Sequence, residues 1–127
     1  MKKTISKSLA QSIHEKAEER GIKLPESEME WINTRKSCDA FVLQRTDDDF
    51  YEGSGYPAYD CTELGEILPE SIYEKDNAIL VPLDIQKNSY GWAVMYKGVY
   101  GIGGGHMVMP MGEMLLYLLQ NGLLNNK

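Results

Sequence analysis

Ile5, Leu9, Ile13 and Ala17 recur at every fourth position among polar neighbours. That spacing puts them on one face of a helix and predicts an amphipathic helix near the N-terminus. Gly21 is a natural stop for it, because glycine enters the left-handed region without a Cβ penalty. Pro25 suits the first turn of a second, short helix. Glu26, Glu28 and Glu30 would favour its positive end, with Met29 and either Trp31 or Ile32 as its buried side. Residues 40–45 have the β-branched and aromatic content of a strand, and residues 46–55 follow as an acidic, glycine-containing loop.

Asp60-Cys61-Thr62-Glu63 reads as a helix start in which Asp60 and Glu63 exchange bonds as a capping box. Leu64, Ile67 and Leu68 give that helix its apolar face, and Pro69 ends it. Residues 79–86 and 90–97 read as two strands joined through Lys87-Asn88-Ser89, with Pro82 placing the first at an edge or beside a bulge. A short strand over 99–102 is compatible with Val99 and Ile102. Met111, Met114, Leu115, Leu118 and Leu119 then fit the i, i+3, i+4, i+7, i+8 template of a C-terminal helix, opened by Pro110 and closed by Gly122.

Together these elements predict an α+β fold in the order α-α-β-α-β-β-α. A small antiparallel sheet of three strands (40–45, 79–86 and 90–97) packs with the N- and C-terminal helices on one face. The expected core is Leu9, Ile13, Phe41, Leu43, Leu64, Leu68, Ile79, Val81, Trp92, Val94, Leu115, Leu118 and Leu119. Leu116 and Tyr117 lie outside the stripe of the last helix, so that helix needs cover on more than one side. The N-terminal helix is the expected cover, which favours a monomer over a homo-oligomer.

A chain of 127 residues, 43% hydrophobic, fits one domain spanning 1–127 that holds a core without staples. Cys38 and Cys61 form no CxxC pair, so disulfide, zinc and redox readings lack support. Met1-Lys2-Lys3-Thr4-Ile5 begins like a secretion signal, but the polar run Ser6 to Ser12 replaces the apolar stretch such a signal needs. Residues 107–119 are too short to span a bilayer and are broken by Pro110, Gly112 and Glu113. A cytoplasmic location without membrane contact is the expectation.

Charge changes the picture further. Residues 26–76 hold fourteen acidic against four basic residues, which repels phosphate backbones and argues against direct nucleic-acid binding. The same excess supports a rival role, an acidic decoy occupying the nucleic-acid site of a host protein.

Candidate chemistry is sparse. Gly101-Ile102-Gly103-Gly104-Gly105-His106 precedes a helix, where glycine amides can cradle phosphate. The dinucleotide fingerprint would need glycine in place of His106, and Gly-Lys-Ser/Thr never occurs. A closely packed turn and an anion- or nucleotide-binding loop both remain as readings of Gly103, Gly104, Gly105 and His106. Asp47-Asp48-Asp49 fails the calcium-loop pattern, since Tyr51, Glu52 and Ala58 stand at its fifth, sixth and twelfth positions. His14 and His106 make no metal-binding spacing, and no GxSxG occurs. No catalytic residue, metal or cofactor follows. Phe50, Tyr51, Tyr56 and Tyr59 cluster in or beside the acidic loop, as a contact surface or as a lid over the core.

Tyr56-Pro57-Ala58-Tyr59, the Glu63 to Pro69 helix, Trp92-Ala93-Val94 and the run Leu115 to Leu124 form an ordered set. This set resembles uncharacterised short proteins from phages, prophages and other mobile elements of gut bacteria. Those relatives carry an ELxEMLP helix, a tryptophan hairpin and a final LLxYLLxNGLL helix. The resemblance covers residues 56–124 and implies a bacterial host and an accessory role without known activity. It joins the tyrosine-bearing loop in predicting a non-enzymatic protein that binds another protein.

Overall fold

The computed structural model describes residues 3–33, 40–47, 55–74, 79–89, 91–96 and 100–124. Helix α1 spans Lys7–Arg20. The Ser6 hydroxyl accepts the Leu9 amide at its start, satisfying one of the amides a helix N-terminus leaves open. At its end the Gly21 amide donates to the Glu18 carbonyl and the Ile22 amide to the Ala17 carbonyl, a Schellman closure.

No helix follows at Pro25. Strand β1 (Met29–Asn33) takes its place, a correction to the second helix expected there. The local signals lose to tertiary bonds. The Met29 amide donates to the Ser27 hydroxyl and the Glu28 amide to the Glu63 carboxylate, while Trp31 and Ile32 find partners across a ladder.

Strands β2 (Phe41–Arg45) and β3 (Tyr56–Pro57) flank β1 in an antiparallel sheet ordered β2-β1-β3. Helix α2 (Cys61–Ile67) follows with its capping box formed as expected. Then β4 (Ser71–Glu74), β5 (Ile79–Asn88), β6 (Gly91–Tyr96) and β7 (Tyr100–Gly104) make a four-stranded antiparallel meander, before helix α3 (Val108–Gln120).

The fold is α+β, but the single three-stranded sheet needs correction. The strand near 40–45 pairs with β1, not with the hairpin of 79–86 and 90–97, so the described residues form two sheets. The element order is α-β-β-β-α-β-β-β-β-α. Among the described residues of the second sheet, Pro82 pairs with Ser71 of β4, and Leu83 is the first residue of β5 paired with β6. The Leu83 amide donates to the Glu70 carbonyl, so Pro82 and Ser71 fall at a pair that exchanges no main-chain bonds, which suits proline's missing N–H.

Helix α3 is central. It packs against α1, α2 and the β6–β7 side of the second sheet, so its apolar surroundings come from within the chain. Gly112 lets α1 approach closely: a Cβ there would lie 2.6 Å from Ile5 Cγ2 and 2.8 Å from Leu9 Cδ2. At the other end Arg20 donates to the Gln120 carbonyl. Start against start and end against end, α1 and α3 run parallel.

The core holds Leu9, Ile13, Leu64, Leu68, Val81, Val94, Leu115, Leu118 and Leu119 as expected, joined by Ile5, Tyr59, Ile72, Tyr96, Val108, Met111 and Met114. Three expected members are only half-buried, another correction. Phe41 stacks on Tyr56 with the Lys7 ammonium 4.8 Å above its ring, Leu43 faces Trp31 on the first sheet, and the Trp92 ring lies 5.7 Å from the Lys87 ammonium. The side chain of Ile79 lies outside the described residues. Among those residues no helix is long and apolar enough to cross a membrane.

Glu63 ties the first sheet to α2. Its carboxylate accepts from the Ser27 hydroxyl at 2.8 Å, the Glu28 amide at 2.9 Å and the Asp60 amide at 3.0 Å. Glu63→Ala removes the acceptor of all three bonds at once. The expected cost is about 1–3 kcal/mol, the range for leaving partly buried donors unmet. Glu63→Gln, which keeps one carbonyl oxygen, should lose less. Urea denaturation of the two variants checks this order.

Candidate functional site

Tyr51 lies outside the described residues. Tyr56 sits on β3 opposite Trp31, half-buried, with its ring centroid 5.7 Å from Phe41 and 5.3 Å from His14. Tyr59 is 1% exposed, and its hydroxyl donates to the Pro25 carbonyl. Burial first, and the Glu63 charge second, push its phenol well above the usual tyrosine range. Of the two roles weighed for these tyrosines, Tyr59 has the position of core wall, and Tyr56 bridges α1 to the first sheet.

The glycine segment is mostly strand. Gly103 and Gly104 belong to β7, opposite Ala93 and Trp92. Only Gly105 and His106 form the exposed bend into α3. A Cβ on Gly104 would lie 3.0 Å from Pro110 Cδ, so this position is shaped by the approach of the helix. An anion cradle needs several converging amides. Here the Val108 amide donates to His106 Nδ1 at 3.2 Å, Pro110 has none, and the Met111 amide donates to the Met107 carbonyl. Gly103 and Gly104 thus belong to the second sheet and Tyr56 to the first, and the two sets are not gathered on one element.

His106 has another neighbourhood. With Lys3, Asp60, Cys61 and Thr62 it borders a shallow cleft of about 230 Å³. Sequence reasoning could not pair Cys61 with His106, because the two are brought together only by the packing of α2 near the start of α3. Cysteine, histidine and carboxylate together invite a nucleophile reading, which needs a lowered thiol pKa. Burial, and then the Asp60 carboxylate, instead push the Cys61 thiol up. Asp60 is committed to the Glu63 amide, and His106 Nδ1 to Val108. Among the described residues no group of three or more His, Cys, Asp or Glu is placed to hold a metal ion.

Two larger grooves flank the extended segment 22–25. One, of about 380 Å³, runs along α1 over Ala10, Ile13, Ala17 and Tyr59, with His14 Nε2 3.2 Å from the Glu18 carboxylate at its border. The other, of about 700 Å³, lies between segment 22–25, the end of α2, strand β4 and the turn after α3. Ile22, Leu24, Ile67, Ile72, Leu123 and Leu124 line it, and Tyr73 and Leu80 contribute to it as well. Those last two are 54% and 69% exposed and stand directly opposite each other on the β4–β5 ladder. Most large apolar side chains among the described residues are covered; this facing pair is not.

Neither residue was a sequence candidate. β4 is four residues long, too short to show a period, and the outward direction of Leu80 is set by its register with β4. The alternation Ile72 inward, Tyr73 outward is visible in hindsight as the signal that was available. Compared with known proteins, the chain matches no family model, no curated sequence and no solved structure.

Proposed function

We propose that this protein works by binding another protein, through the surface around Tyr73 and Leu80. The exposed cross-strand pair beside the 700 Å³ groove carries the reading. Single apolar residues on a surface need no explanation, but adjacent large ones beside a concave wall of mixed apolar and polar character are the usual make-up of a contact site. Covering such a pair gains roughly 25 cal/mol per Å² removed from water. The motif resemblance supports an accessory role in a bacterial host, with the protein acting as a monomer. The cover that α1, α2 and the second sheet give α3 is what favours the monomer.

A test uses Tyr73→Ser with Leu80→Ser. Both positions are exposed, so the double variant should keep wild-type stability to within about 0.5 kcal/mol. The expected result is a specific host protein captured by the wild type, identified by mass spectrometry, and lost from the double variant. Undiminished capture by the double variant, or measured turnover of a small molecule, would overturn the reading.

A further inference from the structure

The reading of this surface as a protein-binding site can be taken one step further, to the form of what it binds. In an antiparallel ladder, successive residues turn their main-chain groups alternately to one neighbour and the other. The Leu83 amide donates to the Glu70 carbonyl, and the register continues Ser71 with Pro82, Ile72 with Val81 and Tyr73 with Leu80. Glu70 and Ile72 therefore turn their amides and carbonyls toward β5, while Ser71 and Tyr73 turn theirs away. Among the described residues β4 is the last strand of its sheet, and no main-chain bond to Ser71 or Tyr73 on that outer side is present. Two amides and two carbonyls thus stand in a row, the two residues roughly 7 Å apart at 3.4 Å per residue. Both residues also line the 700 Å³ groove, together with Ile22, Leu24, Leu123 and Leu124.

We propose that the outer edge of β4 receives an extended segment of a partner protein as an added strand, and that this segment carries a basic residue where it passes the start of β4. A helix would not serve, since its own main chain is already bonded and would leave the four edge groups unmet. An extended segment meets them and buries alternate side chains in the groove. A second copy of this chain is disfavoured by charge. Two β4 edges satisfy one another only about Ile72, with Ser71 of each facing Tyr73 of the other. The chain carries a net charge of -6, which opposes such a self-pairing. The exposed Glu70, just before β4, and Glu66 in the groove wall attract a foreign strand bearing Lys or Arg where it passes them. Lys23, on segment 22–25, also lines the groove.

The test is a titration of the ¹⁵N-labelled full chain with three capped peptides. The first is Lys-Thr-Val-Thr-Val-Thr-Lys, the second has Glu at both ends, and the third is the basic peptide N-methylated at every Thr and Val. The basic peptide should shift the Ser71 and Tyr73 amides and slow their hydrogen exchange. The acidic one should bind at least tenfold more weakly and the N-methylated one not at all. Tyr73→Pro removes an outward amide without touching the bonds to β5 and should abolish binding, while Tyr73→Phe should retain it. The N-methyl arm needs no variant and decides the matter even if Tyr73→Pro fails to fold. Absence of perturbation at Ser71 and Tyr73 with every peptide would overturn the proposal, as would equal binding of acidic and basic peptides. A wild-type dimer dissociated by Tyr73→Pro would show that a second copy fills the edge. If Tyr73→Ser with Leu80→Ser loses its host partner but Tyr73→Pro keeps it, the binding surface stands and strand addition falls.

Discussion

Leu118→Ala should lower the free energy of unfolding by about 2–5 kcal/mol, and toward the upper end of that range. Leu118 is fully buried in the middle of the last helix turns. The cost of such a truncation depends on how far the surroundings can collapse into the space it leaves. Here they are held on several sides, because α3 is packed by α1, by α2 and by strands β6 and β7. A small domain has only about 5–15 kcal/mol to lose, so the variant should unfold at much lower denaturant. Leu116 makes the internal comparison. It is half-buried at the margin of the same core, and Leu116→Ala should cost clearly less. Urea denaturation gives both values, and sedimentation of the same samples adds a second reading. If Leu116→Ala converts a dimer to a monomer, the half-buried side of α3 is an interface between copies and the monomeric reading is wrong. A loss below about 1 kcal/mol for Leu118→Ala would contradict its place in the core.

What the sequence disclosed and what it withheld divide along a physical line. Elements that carry their own period or cap were legible: the four-residue spacing of α1, the Asp60–Glu63 box of α2, and the stripe of α3 that identified Leu115, Leu118 and Leu119. Their signals are local, within a turn or two of helix. Segment 25–33 shows the opposite case. Proline followed by glutamates is a sound helix start, yet the amides that a helix would use are taken by Ser27 and Glu63, and the strand partner arrives from residues 41–45. β3 and β4 span two and four residues, too few for a period to show. Without β1 and β4 in view, one sheet of three strands was the simplest arrangement of the strands that remained. The candidate surface was illegible for the same reason. Tyr73 and Leu80 become neighbours only through a register between one strand that was foreseen and one that was not. Tyr59 looked like a loop aromatic until the chain folded its hydroxyl onto Pro25.

Gly91→Ala should cost about 3–5 kcal/mol, although both side chains are small and the site is near the surface. Gly91 has φ +133°, a conformation that L-residues avoid, and holding any other residue in such a region costs roughly 1–3 kcal/mol. A Cβ there would also lie 2.2 Å from the Gly104 carbonyl oxygen and 2.9 Å from the Gly105 Cα. Both obstacles are backbone, so no rotamer change relieves them; the end of β7 must move. It is not free to do so, because Gly104 is paired to Trp92 on one side and lies against Pro110 of α3 on the other. Overpacking of this kind adds roughly 1–3 kcal/mol to the backbone term. Gly105→Ala is the control. It lies one residue beyond the strand, with nothing within 4 Å of an added Cβ, and should change stability by no more than about 0.5 kcal/mol. Denaturation of the two variants therefore separates the reasons for the glycines. A large loss for Gly91→Ala beside a neutral Gly105→Ala means that this end of the sheet needs glycine for the close approach of β6, β7 and α3. Equal losses would mean that the approach is not the cause, and that the bend at Gly105 and His106 has a conformational demand of its own.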